Sequence, residues 1–475
     1  MGSYTFKREA NLYKAYDVVV AGGGPAGIGA ALAAANNGVS VLLIEGNGCL
    51  GGTSIAGNLP FYLGAMTGSI PYKEMLNQNL PYSKLPRPRK AVGGVFDQMV
   101  AAIKAEGGGV GPCEMGQCDK YPGLDRLGCH DEFTFDMEIG KRVLDDMMCK
   151  AGVDLMYYTH AMDVEIRDNV IQGVYVHNKS GVSFVPCKMV VDCSGDADLV
   201  ARAGYETYKG DRVTGEMTAM SLVAQVENID SAAMEKYLNE GGDPWMRPAC
   251  EAARAEHPED PALPKNIIIF PMVQPGVFMI NSGTAVADVD GTNGDDLTKV
   301  TLWGRRRAKF LTEELFRKHI PGGENAMLRS TAMYPGIRET RRIVAEYILT
   351  EDDLLEGKKF DDTIALAGRH FDLTRKGEHL QPFADRKVSI RGGVSRIPYR
   401  ALVPKGADNI IVGGRCIAAD GQALGPARIM STCMATGEAA GTAAALKVKH
   451  GISIRDINIK ELQAILKANG AEFEG

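Results

Sequence analysis

The stretch YDVVVAGGGPAGIGAALAAANNGVSVLLIE, residues 16–45, decides the fold of this chain. Its opening YDVVVA is a short Val-rich run that reads as a buried strand, and GGGPAG follows at 22–27. The period then changes. IGAALAAANN, from Ile28 to Asn37, has strong helix propensity, Gly38 is a fitting helix stop, and VSVLLIE at 39–45 is a second buried strand. Strand, turn, helix and strand make a βαβ unit.

Within that unit Gly22, Gly24 and Gly27 satisfy G-x-G-x-x-G, and Glu45 lies 21 residues beyond the second glycine. Each part has a task in binding a dinucleotide. Gly22 permits the tight turn out of the strand, Gly24 lets the backbone approach a pyrophosphate, and Gly27 lets the helix pack on the sheet. Pro25 and Ala26 open the helix, whose free N–H groups and partial positive charge suit phosphate. Glu45 would accept hydrogen bonds from a ribose diol. Downstream, GNGCLGGTS at 46–54 places Gly46 and then the pair Gly51-Gly52 behind the ribose acid, which resembles FAD-binding flavoproteins. FAD therefore leads over NAD. Bare Gly51 and Gly52 could pass close to the adenosine and pyrophosphate, carrying Thr53 and Ser54 toward the flavin ring.

Three further segments read as parts of the same domain. FTFDMEIGKRVLDDMMCKAGVDLMYYT, 133–159, looks like a strand edge, an amphipathic helix ending near Gly152, and a strand. MVVDCSGDADLVARAG, 189–204, is strand, turn and helix; its Asp192-Cys193-Ser194-Gly195-Asp196 resembles the D-A-T-G-D turn of flavoproteins. Near the C-terminus, DNIIVGG is a strand, and a helix rich in small residues starts at about Ala427, its N-terminus near Gly425 and Pro426. If that end faces the N1/C2=O edge of a flavin, its partial charge favours the reduced ring.

The set of motifs is similar to an FAD-dependent oxidoreductase family: GGGPAG at 22–27, DCSGD at 192–196, GIRETRR at 336–342, GRCIAADGQALGPAR at 414–428 and TCMATGEAAG at 432–441. The resemblance spans nearly the whole chain in order. It implies an α/β fold: a Rossmann-like FAD-binding domain of the glutathione-reductase type, with a discontinuous α+β substrate or cap domain. Fumarate reductases and the heterodisulfide reductase flavin subunit are related in outline. Residues 1–60, 133–204 and 401–475 would form the first domain, 61–132 and 205–400 the second. FAD would be held non-covalently by the residues named above, with Asp192, Ser194, Gly195, Asp196, Gly414, Arg415, Asp420, Ala423, Leu424 and Gly425. One departure stands out, because the family's P-I-D-I-H appears as HFDLTRKG at 370–377.

Composition narrows the partners. Apolar residues make up 45% and charged residues 24%, so a large core is available and disorder is set aside. The 53 basic and 59 acidic residues leave −6, the wrong sign for a protein that neutralises nucleic-acid phosphates. Ten dilute cysteines point to reduced thiols and a cytoplasmic setting. The uncharged run between Asp17 and Glu45 is no signal peptide or membrane span, since Pro25, its glycines, Asn36 and Asn37 interrupt it. A homo-oligomer stays open.

Candidates for substrate chemistry lie in the remaining segments. KNIIIFPMVQPGVFMINSGTAVADVD, 265–290, reads as strands turning at Gln274-Pro275-Gly276, and DGTNGDDLTK leads into a helix with Asp295 or Asp296 near its cap. YSKLPRPRK at 82–90 is a loop and a candidate lid. In GIRETRR, taken as helical, Arg338, Glu339, Arg341 and Arg342 either hold an anion or form an internal Arg–Glu network, and the two readings weigh evenly. Arg391, Arg396, Tyr399 and Arg400 are further candidates, with preference for the last two. His130 and His370 are candidate proton donors or bases. Cys113, Cys118, Cys129 and His130 do not match zinc or iron–sulfur spacing, so no metal is expected. Only one dinucleotide fingerprint is present, so no NAD(P)H domain is expected. The expected activity is hydride transfer between a small organic substrate and flavin N5, with a second small molecule or an electron-carrier protein completing the cycle. The alternatives are a flavin electron-transfer subunit or a non-redox flavoprotein.

Overall fold

A computed structural model describes residues 7, 9–67, 89–112, 133–212, 214–281, 283–368 and 393–474. His130, His370, Arg391, the three cysteines 113, 118 and 129, and most of the Pro-rich loop lie outside the described residues.

The centre is a sheet of parallel strands in the order Ile410–Val412, the end of Gly181–Asp192, Tyr16–Ala21, Val41–Ile44 and Asp154–Met156. Val18, Val19, Leu42, Leu43, Val190 and Ile411 are fully enclosed, as strands covered on both faces require. Each such side chain stabilises the fold by roughly 1.5–3 kcal/mol. The strand Gly181–Asp192 serves two neighbours in opposite senses. Its first half pairs antiparallel with Val170–Asn178, which pairs in turn with His160–Arg167. Its second half runs parallel to Tyr16–Ala21. This antiparallel extension carries no expectation from the sequence.

Two helices cover one another over the sheet. The nucleotide helix Pro25–Asn36 ends at Asn37, with Gly38 at φ +76°. The C-terminal helix Met430–His450 crosses it so closely that a Cβ on Gly437 would lie 2.0 Å from the Ala26 carbonyl oxygen. The expected stripe of small residues is thus demanded by backbone contact. The long helix begins at Met430, after a separate four-residue turn, Leu424–Ala427, so Gly425 and Pro426 precede its N-terminus. The break falls at Arg428 and Ile429, where Ile429 turns extended at φ −63° and ψ 140°.

A second hydrophobic core gathers Val226, Met234, Ile269, Phe278, Leu315 and Phe316. It lies by an antiparallel sheet in the order Ile269–Pro271, Phe278–Ile280, Ala224–Glu227 and Met327–Thr331. The following helix, Gly294–Phe310, is capped by Asn293, whose side chain accepts from the amides of Asp295 and Asp296. The two aspartates stand near the cap as expected, in the first turn, where their charge suits the helix dipole.

Candidate functional site: a dinucleotide cradle

At the end of the strand Tyr16–Ala21 the three fingerprint glycines answer different constraints. A Cβ on Gly22, at φ +100°, would lie 2.5 Å from the Cys193 carbonyl oxygen, and one on Gly27 would lie 1.8 Å from that of Gly22. Both positions are closed to any side chain by the protein itself. At Gly24 the nearest atom to an added Cβ is the Gly52 Cα at 4.0 Å, so packing leaves that position open. Gly24 is also the N-cap of Pro25–Asn36 and offers no side-chain acceptor to the first-turn amides. Bare amides beside an uncrowded glycine form the cradle that a pyrophosphate needs.

Glu45 is buried at the rim. Its Oε2 accepts from the Gly23 amide at 2.7 Å, and its Oε1 accepts from the Asn47 amide and side chain at 2.7 Å each. The carboxylate is thereby fixed against the glycine turn. Gly46 is kept bare by His160, whose ring would lie 2.7 Å from an added Cβ. Gly51 donates to the Gly23 carbonyl at 2.9 Å, which draws the second glycine pair over the first. Thr53 is half-buried, whereas the Ser54 hydroxyl is buried and donates to Gly51 O at 2.8 Å.

The D-x-x-G-D turn divides its two acids. Asp192 is fully buried and accepts from the amides of Ser194, Leu199 and Val200 at 2.9–3.1 Å, so it caps the short helix Asp198–Arg202. Burial raises its pKa, with those hydrogen bonds opposing. Asp196 instead gathers other motifs. Arg415 Nη2 approaches it at 2.6 Å, Thr340 donates to its carboxylate, and Arg341 Nε donates to its carbonyl at 2.9 Å. Burial foremost, then the charges of Asp192 and Asp196, push Asp198 up to about 6, and Arg341 pairs with it. Gly195, at φ +84°, leaves room for the Arg415 guanidinium 3.0 Å from where a Cβ would stand. Segments far apart in sequence thus meet on one turn.

GIRETRR is extended, not helical: Arg341–Ile343 pairs with Thr207–Lys209. Arg342 and Glu339 are buried 2.8 Å apart. Glu339 accepts from the Thr218 amide and hydroxyl at 3.1 and 2.9 Å. Arg342 donates to the carbonyls of Ala419, at 2.6 Å, and Gly210, and lies over the Tyr208 ring. Of the two readings for this cluster, the internal network describes Arg341 and Arg342. Arg338 reaches the Ala219 carbonyl and the Ser221 hydroxyl at 2.9 and 3.0 Å.

The other expected residues are dispersed. The Tyr399 hydroxyl is buried and donates to Ile454 O at 2.7 Å. Arg400 grips Asp362 with two bonds of 2.9 and 3.1 Å. Gly414, at φ +91°, donates to the Thr436 hydroxyl. The Asp420 amide donates to Leu349 O at 2.8 Å, and Ala423, Leu424 and Gly425 are buried in the turns that follow. Glu256, His257 and Glu314 bring potential ligand atoms within 4.8 Å of one another, with Lys318 2.6 Å from Glu314 as counter-charge. Sequence reasoning missed two residues. Tyr334, just ahead of GIRETRR, sits at Gly52 and Thr53. Glu438, in the middle of the long helix, is buried and accepts from the Val95 amide at 3.0 Å.

Among the described residues no helix is long and apolar enough to cross a membrane. The chain is 29% identical over 242 residues to digeranylgeranylglycerophospholipid reductase 2 of Methanothermobacter thermautotrophicus, covering 50% of this chain and 54% of that one. Against digeranylgeranylglycerophospholipid reductase 1 of Methanococcoides burtonii it is 27% identical, covering 49% and 51%. The chain spans about half the length of the curated relatives it matches. Among solved structures it is similar to p-nitrophenol 4-monooxygenase from Pseudomonas putida, with a TM-score of 0.46, 12% identity, and coverage of 96% and 89%. The profile described as FAD dependent oxidoreductase matches residues 17–466. With the glycine cradle, the fixed acid and this match over nearly its whole length, the chain belongs to the FAD dependent oxidoreductase family, and its cofactor is FAD.

Proposed function

We propose that the protein moves a hydride between a small organic substrate and non-covalently bound FAD, without a dedicated NAD(P)H domain. The observation that carries this reading is the contrast at the fingerprint: protein contacts close Gly22 and Gly27, while Gly24 stands open beside uncapped amides. Bound FAD supplies two-electron chemistry at N5 of its ring. The chain's own groups would hold it: the turn amides would receive the pyrophosphate and Glu45 the ribose hydroxyls, while Arg415 with Asp196 fixes the neighbouring turn. The division at 1–60, 133–204 and 401–475 against the rest is supported by the parallel sheet, whose strands all come from the first set. Tyr399 and Arg400 are assigned structural roles, because Ile454 and Asp362 take their polar atoms. Electrons would pass on to a second small molecule or a carrier protein.

A second reading, in which the enzyme works in the reducing direction on a lipid, draws on the names of the two reductase relatives. One experiment separates them. The purified protein should show oxidised-flavin bands near about 370 and 450 nm. Anaerobic bleaching by a hydroxy acid, sugar or alcohol supports the first reading; reoxidation of pre-reduced protein by an unsaturated lipid supports the second. A colourless protein that takes up no added FAD defeats both.

A further inference from the structure

Tyr334 belongs to none of the nucleotide-binding motifs, yet its phenol reaches the glycine turn. A Cβ on Gly52 would lie 2.8 Å from the Gly24 Cα and 3.5 Å from the Tyr334 hydroxyl. The hydroxyl therefore stands beside the point where the two glycine pairs face each other. Neighbouring bonds hold it there: the Met333 amide donates to Ala56 O at 2.8 Å, and Asn58 and Ser330 are hydrogen-bonded through their side chains at 3.2 Å. These contacts tie residues 330–333 onto residues 56–58. Burial pushes the phenol well above its ordinary value, with Thr53 and the Arg415 charge opposing, so the group remains a neutral O–H donor. Arg415 adds a buried Nε with no acceptor among the described residues. A neutral donor stands beside an open glycine at the N-cap of the nucleotide helix, with the Asp196-paired Arg415 near enough for its charge to act on the phenol, and an anion at that N-terminus is the ligand that the donor suits.

We propose that Tyr334 donates its phenolic hydrogen to the pyrophosphate of FAD, closing the cradle from the side of the sheet that contains Met327–Thr331. The inference rests on the FAD assignment and adds a binding residue from outside the nucleotide motifs. It links cofactor occupancy to the second sheet, because the strand Met327–Thr331 leads directly to Tyr334.

The test is to titrate apo-protein with FAD and, separately, with ADP, which carries the pyrophosphate without the flavin. Wild type is compared with Tyr334→Phe, which keeps the ring and removes only the hydroxyl. Loss of one hydrogen bond to a charged acceptor should weaken FAD binding about tenfold. ADP should weaken by a similar factor, and the apo melting temperature should stay that of wild type. FAD affinity within twofold of wild type overturns the proposal and leaves Tyr334 as packing. Weaker FAD with unchanged ADP also overturns it, since the hydroxyl would then act at the flavin end. A lowered apo melting temperature overturns it in favour of a scaffold role. Wild-type protein that binds no FAD defeats the cofactor assignment itself, an outcome distinct from equal binding by the two proteins.

Discussion

The Gly22–Gly27 turn and the Arg338–Arg342 segment both join distant parts of the molecule, and they do so by opposite means. In the first, side chains are absent so that backbones can touch: Gly27 abuts Gly22, and Gly52 abuts Gly24. In the second, long charged side chains fill the join: Arg342 and Glu339 are buried, and Arg342 reaches Gly210 and Ala419 while Glu339 holds Thr218. The difference teaches where each join is fragile. A glycine turn fails by steric intrusion at one atom; a buried ion pair fails by leaving a charge without its partner.

The largest expected effect comes from the first region. Gly27→Val places carbon inside the Gly22 carbonyl and should yield no folded protein, read by expression and circular dichroism. In the second region Arg342→Met should cost about 3–5 kcal/mol in denaturant unfolding, and the double change with Glu339→Gln should recover part of it. A cost below about 1 kcal/mol would mean that the pair does not hold the segments together.

Glu438 gives an effect of intermediate size and separates burial from pairing, since its carboxylate accepts from the Val95 amide and pairs with no cation among the described residues. Burial raises it to about 7, against an ordinary 4.5. Below about pH 4.5 both the folded and the unfolded chain carry the proton, and the carboxyl is neutral in its effect. As pH rises toward 7 only the unfolded chain releases it, so stability falls, and above 7 the full penalty of about 3 kcal/mol remains. Glu438→Gln should therefore unfold like wild type at low pH and exceed it at pH 8. Equal stability at pH 8 would show that the carboxylate is accommodated.

Gly24→Ala sharpens the contrast within the turn. Its Cβ meets no protein atom nearer than 4.0 Å, so apo stability should change by less than about 1 kcal/mol while FAD affinity falls at least about tenfold. Equal losses of stability and affinity would make Gly24 another packing glycine. The smallest effect is expected at Arg400, half exposed and paired with Asp362: Arg400→Ala should cost at most about 1 kcal/mol, with turnover within about twofold.

What was legible followed the range of the forces. The βαβ unit, Gly27 and Glu45 depend on neighbours within about 30 residues, a span over which a sequence pattern can be read directly, whereas the closing of Gly22 by Cys193 is set by a distant strand. Asp295 and Asp296 stand near the cap, as the sequence implies, in the first turn behind Asn293, whose side chain accepts from their amides. The extended form of GIRETRR was not legible, since its pairing with Thr207–Lys209 is a choice made by a distant strand.

By itself, then, the sequence determined the nucleotide-binding unit and the order of the motifs around it, because helix propensity, the strand–turn–helix period and the burial of Val-rich strands act locally. Only the tertiary structure decided that Asp196 serves Arg415 and Thr340 and that Tyr334 stands at Gly52. Those roles belong to partners 144 and more residues away, as with Thr340, and nothing in the chain near a carboxylate or a phenol records which distant donor will desolvate it.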